Sequence, residues 1–428
     1  MQPWPLWVIP SLLHAMKYLP LLGLIAAPAF AQGPLTPLGP PGPTQKSLQE
    51  IWDRMGTLES IVVSQQQQIA LLQQQNSILL SASNIALPWS YETVYIDLPL
   101  GDMSLAFAPS GQPAIAYCDE DTGFIKYALR STTGWTVTTV DIQGGPDAHP
   151  SLAFSPAGLP MIAYHRGTEE PGLYAASFDG SSWSTIVVDA GDTGYHPVLA
   201  FSPTGIPTIA YEDTEDNGIG LADTAGGGAW GSFEIIAAGA ERPSLAFDPD
   251  GEPAVAYQIG VTALRLSRMI NGAWVTSTID ELDPESEETK ELTDLSLAFS
   301  PSGQPAVSYD FYDGDGDLMY AIMDGDDNWQ KTSVTSGSDW GFHSTLRFSP
   351  AGQATISHTL NADLDSYDSN IGIATLKSGV WQKEYLGVTN PDKFDSGQLK
   401  LAFTRGGQPA VIFAHHSALR YAVKGPFH

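Results

Sequence analysis

The sequence predicts an all-β fold, a seven-bladed β-propeller of four-stranded antiparallel blades, with an α-helical coiled-coil segment before it. Three observations carry the prediction. A fourteen-residue phrase recurs seven times, each recurrence is followed by further β-rich segments, and a coiled-coil spacing of apolar residues occupies 47–82 and stops short of the first copy.

The copies are "SLAFAPSGQPAIAY" from Ser104, "SLAFSPAGLPMIAY" from Ser151, "VLAFSPTGIPTIAY" from Val198, "SLAFDPDGEPAVAY" from Ser244, "SLAFSPSGQPAVSY" from Ser296, "TLRFSPAGQATISH" from Thr345 and "KLAFTRGGQPAVIF" from Lys400. Their aligned Phe107, Phe154, Phe201, Phe247, Phe299, Phe348 and Phe403 lie 46 to 55 residues apart, enough for four short strands per unit. In each copy "SLAF" reads as a first strand, "SPAG" as a tight hairpin supplied with Pro and Gly, and "PMIAY" as a second strand. Segments such as "FIKYALR" and "DLMYAIM" supply the third. A fourth is opened by Trp135, Trp183, Trp230, Trp274, Trp329 or Trp381.

The seventh copy ends after its third strand, "ALRYAV". The segment "PWSYETVYID", Pro88 to Asp97, has the pattern of a fourth strand and precedes the first copy. It is expected to pair with Ala418–Val423 and close the ring, leaving no free seam. One four-stranded sheet cannot bury both its faces, whereas seven around an axis cover one another. The repeated Phe, Trp and Tyr are therefore read as core, each contributing roughly 1.5–3 kcal/mol, and not as a ligand cage.

Upstream, residues 1–31 read as an export signal. Lys17 precedes the apolar run "YLPLLGLIAAPAFA", which ends at Ala29-Phe30-Ala31; an uncleaved anchor is the alternative. Removal of the signal would leave no membrane span, and the expected location is periplasmic or extracellular. Cys118 is the only cysteine, so no internal disulfide forms, which together with export points to a bacterial source. Residues 32–46, Pro- and Gly-rich, form a stiff linker. In 47–82, Leu48, Ile51, Met55, Leu58, Val62, Gln65, Ile69, Leu72, Asn76 and Leu79 step by threes and fours. That seam predicts a homodimer or homotrimer, the alternative being a lone amphipathic helix. The propeller occupies 87–428.

The signal, the "GPPGPT" linker, the Gln-rich coiled coil and the "SLAFxPxGxPAIAY" unit with its later "YA" and "W...TVD" together resemble secreted repeat proteins of environmental bacteria. The resemblance implies a propeller on a coiled-coil stem and implies no activity. The sixth copy departs from it, with Ala354 for Pro and His358 for Tyr.

The chain carries 48 acidic against 19 basic side chains. Nucleic acid is thereby excluded as a partner, and the field favours cations or neutral polar ligands. Function should lie where the copies differ. The residue two before each first-strand position is polar but varied: Asp102, His149, His196, Arg242, Asp294, His343 and Gln398. The loops after the second strands share that rim and add Asp119, His165, Arg166, Glu212, Asp213, Gln258, Asp310, His415 and His416. Such a ring either keeps a funnel mouth hydrated or converges on a ligand, a divalent metal or a sugar. In "YDFYDGDGDLMYAIMD", Asp313, Asp315 and Asp317 alternate as in calcium loops, with Asp324 at the twelfth place; a simple acidic turn is the alternative.

Two function classes follow. One is a non-catalytic binding or scaffold protein for a glycan or protein ligand, multivalent through its stem. The other is a polysaccharide hydrolase or lyase. Sialidase boxes and a nucleophile elbow in a defined context are lacking, which favours binding. The stem reading has a direct check: the chain carrying 47–82 should sediment at micromolar concentration as a dimer or trimer, and the propeller from Leu87 onward as a monomer.

Overall fold

The computed structural model describes residues 87–96, 100–167, 170–224, 229–283, 290–312, 316–335, 343–361, 369–386, 399–415 and 418–425. The signal, linker and coiled-coil segments lie outside them. The described residues form seven four-stranded antiparallel sheets, each built in sequence order except the last. Blade 1 holds Leu100–Phe107, Pro113–Asp119, Phe124–Ser131 and Gly134–Asp141, and each later copy begins its own sheet in the same way. In blade 7, Trp89–Ile96 pairs with Ala418–Lys424, from Trp89 opposite Lys424 to Ile96 opposite Ala418, as the sequence predicts. One detail differs. Trp230 does not open the fourth strand of blade 3, which begins at Ser232. Among the described residues no helix is long and apolar enough to cross a membrane.

The repeated phrase is a code for the seams between blades. The buried apolar residues fall into seven clusters, each drawn mainly from two adjacent blades. The first-strand Leu of each blade packs on the blade before it: Leu152 joins Cys118, Ile125 and Tyr127 of blade 1, and Leu199 joins Leu173 and Ala175 of blade 2. The Trp of one blade meets the "YA" tyrosine of the previous one edge-on, with Trp183 and Tyr127 at 5.2 Å, Trp381 and Tyr320 at 5.2 Å, and Trp135 and Tyr421 at 5.4 Å.

Polar groups interlock across the same seams. First strands face the channel with one edge unpaired, so their N–H groups need acceptors. The phrase's Ser supplies them: Leu152 N donates to Ser104 Oγ at 3.0 Å, Leu199 N to Ser151 Oγ at 2.9 Å, Leu297 N to Ser244 Oγ at 2.9 Å and Leu346 N to Ser296 Oγ at 3.1 Å. The second-strand Tyr donates to the Asp closing the previous blade's "TVD" strand, as Tyr211 does to Asp189 at 2.9 Å, Tyr309 to Asp280 at 2.6 Å, and Tyr164 to Asp141.

At the face opposite the mouth, the hairpin glycines hold φ between +79° and +92°, where a side chain is strained. A Cβ at Gly158, Gly205, Gly251, Gly303, Gly352 or Gly407 would lie against the hairpin Pro of the preceding blade. The hairpins therefore form a packed hoop.

The ring closes on Glu92, in the strand donated from upstream. Its carboxylate accepts from Arg130 Nε and Nη2, each at 2.8 Å, and from Trp135 Nε1 at 2.9 Å. These hydrogen bonds tie blade 7 to blade 1, and the bond with Arg130 holds the Glu92 carboxyl below its usual pKa range despite partial burial. Glu92→Ala should lower the unfolding free energy by about 2 kcal/mol, measured by urea titration, because it strands a half-buried guanidinium and an indole N–H. Deleting residues 87–96 should destabilise the whole ring, whereas deleting 32–80 should leave the thermal midpoint in place. Equal midpoints in the two deletions would refute closure by this strand.

Candidate functional site

The first strands surround a cavity of about 620 Å³ whose lining includes Asp102, His149, His196, Arg242, Asp294 and Gln258. Five rim residues adopt the left-handed backbone region: His149 (φ 45°), His196 (45°), Arg242 (51°), Asp294 (53°) and His343 (57°). Outside glycine this conformation costs about 1 kcal/mol or more per residue. It coincides with irregular pairing at the start of the first strand, between Tyr195 and Val198, Glu241 and Ser244, and Thr293 and Ser296. The strand bulges at the rim, and bulges re-aim side chains.

The rim residues form a chain of contacts around the mouth. His149 Nδ1 donates to Asp102 Oδ2, and His196 Nδ1 donates to Glu212 Oε1 at 2.9 Å. Burial opposes the charge on Asp102, but the hydrogen bond and charge of His149, with Lys400 and His196 nearby, outweigh it and keep its carboxyl below the usual range. Glu212 is likewise held low: burial opposes ionisation, and His196 and Arg242 overcome it. Both carboxylates are acceptors only, so each bond carries its proton on Nδ1, and each Nε2 is turned away from the carboxylate. The two rings lie 4.3 Å apart, tilted by 38°. Farther around, Arg242 N donates to Glu212 Oε1 at 2.5 Å, Arg242 Nη1 lies 3.7 Å from Asp294 Oδ1, and His343 N donates to Asp294 Oδ2 at 3.4 Å.

Several expected site residues have other tasks. His165 is buried behind the rim, its Nδ1 donating to Asp147 O at 3.3 Å and its ring 4.0 Å from that of Tyr195. Burial lowers its pKa, so it is a neutral packing residue and not part of the cavity wall. Arg166 is spent on Asp141 at 2.5 Å and on the face of Tyr174. Asp119 and Asp213 cap their own loops. His415 ends the second strand of blade 7, and Gln398 and His416 lie outside the described residues. Burial pushes the Cys118 thiol up to about 12, too high for a thiolate nucleophile.

Of the calcium-loop residues, Asp313 and Asp315 lie outside the described residues, and Asp317 opens the third strand opposite Phe311. Asp324 follows the far end of that seven-residue strand, about 20 Å away at 3.3 Å per residue, where it caps a turn by accepting from Asp326 N and Asn328 N. Asp317 and Asp324 therefore stand at opposite ends of one strand. Among the described residues no three His, Cys, Asp or Glu side chains are placed to hold a metal ion.

Two cavity residues escape the rim pattern altogether. Arg347 and Lys400 stand where six other first strands have Ala and where four have Ser, respectively, and both line the cavity. The signal for them was present as charged breaks in an apolar repeat. With Arg242 they place three of the chain's 19 basic residues in one cavity of an acidic protein, so the interior does not follow the net charge.

No protein-family model and no curated protein matches this sequence. Among solved structures it is similar to a polysaccharide lyase, the PL25 ulvan lyase bound to -[GlcA(1-4)Rha3S]-, with TM-score 0.58 and 11% identity over 78% of this chain and 96% of that one. The same lyase without the saccharide gives TM-score 0.57 over the same shares at 11% identity. A Penicillium chrysogenum α-L-arabinanase complexed with arabinobiose gives 0.46, at 13% identity over 78% and 97%. At such identities the likeness is one of fold, and the class the seven blades define is the β-propeller.

Asp310, behind the rim in blade 5, is fully buried, and neither carboxylate oxygen has a hydrogen-bond partner among the described residues. Burial foremost, then the charges of Asp294, Asp317 and Glu291, push its pKa up to about 8, so it is neutral at pH 7. The unfolded chain releases this proton near pH 4 while the folded protein keeps it to about pH 8, so stability falls as pH rises through that window and levels off above it. Asp310→Asn should flatten this slope, which urea titrations at pH 5, 6.5 and 8 would measure. Parallel pH profiles for the two proteins would show that the carboxyl is ionised in the fold.

Proposed function

We propose that the protein is an exported saccharide-binding protein whose propeller mouth holds a sugar chain, made multivalent by its coiled-coil stem. The observation that carries this reading is the rim. His149, His196, Arg242 and Asp294, from four different blades, are held by partners in left-handed backbone positions around one 620 Å³ cavity. That volume is in the range of small-ligand pockets. A sugar presents many hydroxyl groups, each donor and acceptor, and the mouth offers both kinds of partner: carboxylates as acceptors, the Arg242 guanidinium as donor, and imidazole Nε2 in either role. Pre-set side chains lower the ordering cost of binding. The fold is shared with a lyase that was solved with a saccharide bound, which supports a sugar over a protein ligand. Export rests on the segment from Lys17 to Ala31, and avidity on the seam of 47–82.

A second reading is polysaccharide cleavage, favoured by the two histidine–carboxylate pairs. Each fixes an imidazole through Nδ1 and leaves Nε2 turned away from its carboxylate, an arrangement suited to general acid–base chemistry. A glycan array followed by a turnover screen on the purified propeller separates the two: retention without product supports the binder, and product supports the enzyme. Replacing His149, His196 and His343 together by Ala should weaken the retained glycan about tenfold or more with the fold intact. Unchanged affinity, with binding lost instead on altering the hairpin face, would place the site at the wrong end of the channel.

A further inference from the structure

The first strands repeat closely, so a charged break in them is informative. At the third position of the phrase, six blades carry Ala and blade 6 carries Arg347. At the first position, Ser104, Ser151, Ser244 and Ser296 each accept an N–H from the next blade. Lys400 occupies that position in blade 7 and has no hydroxyl to offer the following blade. Both substitutions work against the seam, and both introduce a cation into the same channel.

These two cations stand on the first strands of neighbouring blades and line one cavity. Arg347 lies four residues and Lys400 two residues past the rim position of its strand, roughly 13 and 7 Å at 3.3 Å per residue. The rim carboxylates above are committed elsewhere, Asp102 to His149 and Asp294 to His343 N and Arg242. Among the described residues no carboxylate makes an ion pair with Arg347 or Lys400. Arg347 donates from Nη1 to Leu346 O at 2.7 Å, which leaves the rest of its five-donor fork available. Its side chain meets channel water although protein encircles it, and a guanidinium stays charged there. Lys400 is pressed downward in pKa by enclosure and by Arg347, while Asp102 and Asp294 pull it back up. Two like charges in one channel repel, and an anion between them relieves that repulsion.

We propose that Arg347 and Lys400 form an anion subsite in the channel that receives the carboxylate or sulfate group of an acidic saccharide. The proposal rests on the reading of the mouth as a saccharide site and narrows it to charged sugars. A guanidinium matches either oxyanion by two parallel hydrogen bonds, and an ammonium adds a point charge. The rest of the surface is acidic and repels polyanions, so entry is confined to the mouth and is sensitive to ionic strength.

The test uses Arg347→Ala, Lys400→Ser and the double variant, each restoring the residue most blades carry, so the ring should fold; thermal unfolding checks this. Calorimetry with a polyuronate, a sulfated polysaccharide and a neutral polysaccharide should show binding of at least one acidic chain and none of the neutral chain. Each single variant should lose about tenfold in affinity and the double variant all measurable binding, and whichever acidic chain binds identifies the group recognised. Equal affinity for neutral and acidic chains, or full binding by the double variant, overturns the subsite and leaves the saccharide reading in place. If no polysaccharide binds, the saccharide reading fails, and sodium sulfate decides the subsite by itself. Sulfate should then raise the unfolding midpoint of the wild type more than that of the double variant, and equal shifts would overturn the proposal.

Discussion

Every first strand of this ring has one edge that no neighbouring strand can pair, because it faces the axis. The structure depends on satisfying that edge without closing the channel. At four of the seven seams a serine hydroxyl from the blade before does so, accepting the N–H of the next blade's leucine, as at Ser104 and Leu152. Each such bond contributes about 1 kcal/mol. The same leucine buries its side chain across the same seam, so one dipeptide supplies both the polar and the apolar half of the contact. The Tyr–Asp bonds and the Trp–Tyr edges repeat the arrangement farther out along the seam.

Because these contacts consume the repeated residues, variation is left to positions outside the phrase. The rim is such a position. There the backbone turns left-handed and the pairing slips, so a side chain leaves the sheet and enters the mouth. The strain has a return in geometry, since His149 and His196 come from separate blades and yet lie 4.3 Å apart. Their carboxylate partners come from different strands, a first strand for Asp102 and a second strand for Glu212. One site is thus assembled from two kinds of strand, neither of which brings these groups together by sequence spacing.

The fold was legible because its signal was repetition, and a register error in one copy is corrected by the other six. The shared last blade was legible for the same reason: a lone fourth strand had only one empty place to fill. The site was legible in part. Variation marked the rim, and Asp102, His149, His196, Arg242 and Asp294 do line the cavity. His165 was misplaced because two residues adjacent to one rim differ in depth, and spacing along a strand does not report depth. Arg347 and Lys400 were overlooked because a motif is read by what its copies share, and these residues look like decay of the motif. Asp310 shows the third kind of blindness: its neutrality comes from burial and from carboxylates on other segments, which no local pattern records.

The seam contacts all run head to tail, from one blade to the next in a single sense. A contact of that kind does not depend on how many blades precede it, so a copied blade set after blade 1, 2, 4 or 5 would find its serine acceptor. Only Glu92 and its strand know where the ring ends. Blade number and mouth chemistry are therefore separable properties, the first fixed by curvature and one joint, the second carried by each blade independently. Recombination between copies would then exchange rim residues as whole cassettes, and a lineage can alter what the mouth accepts without touching what keeps the ring closed.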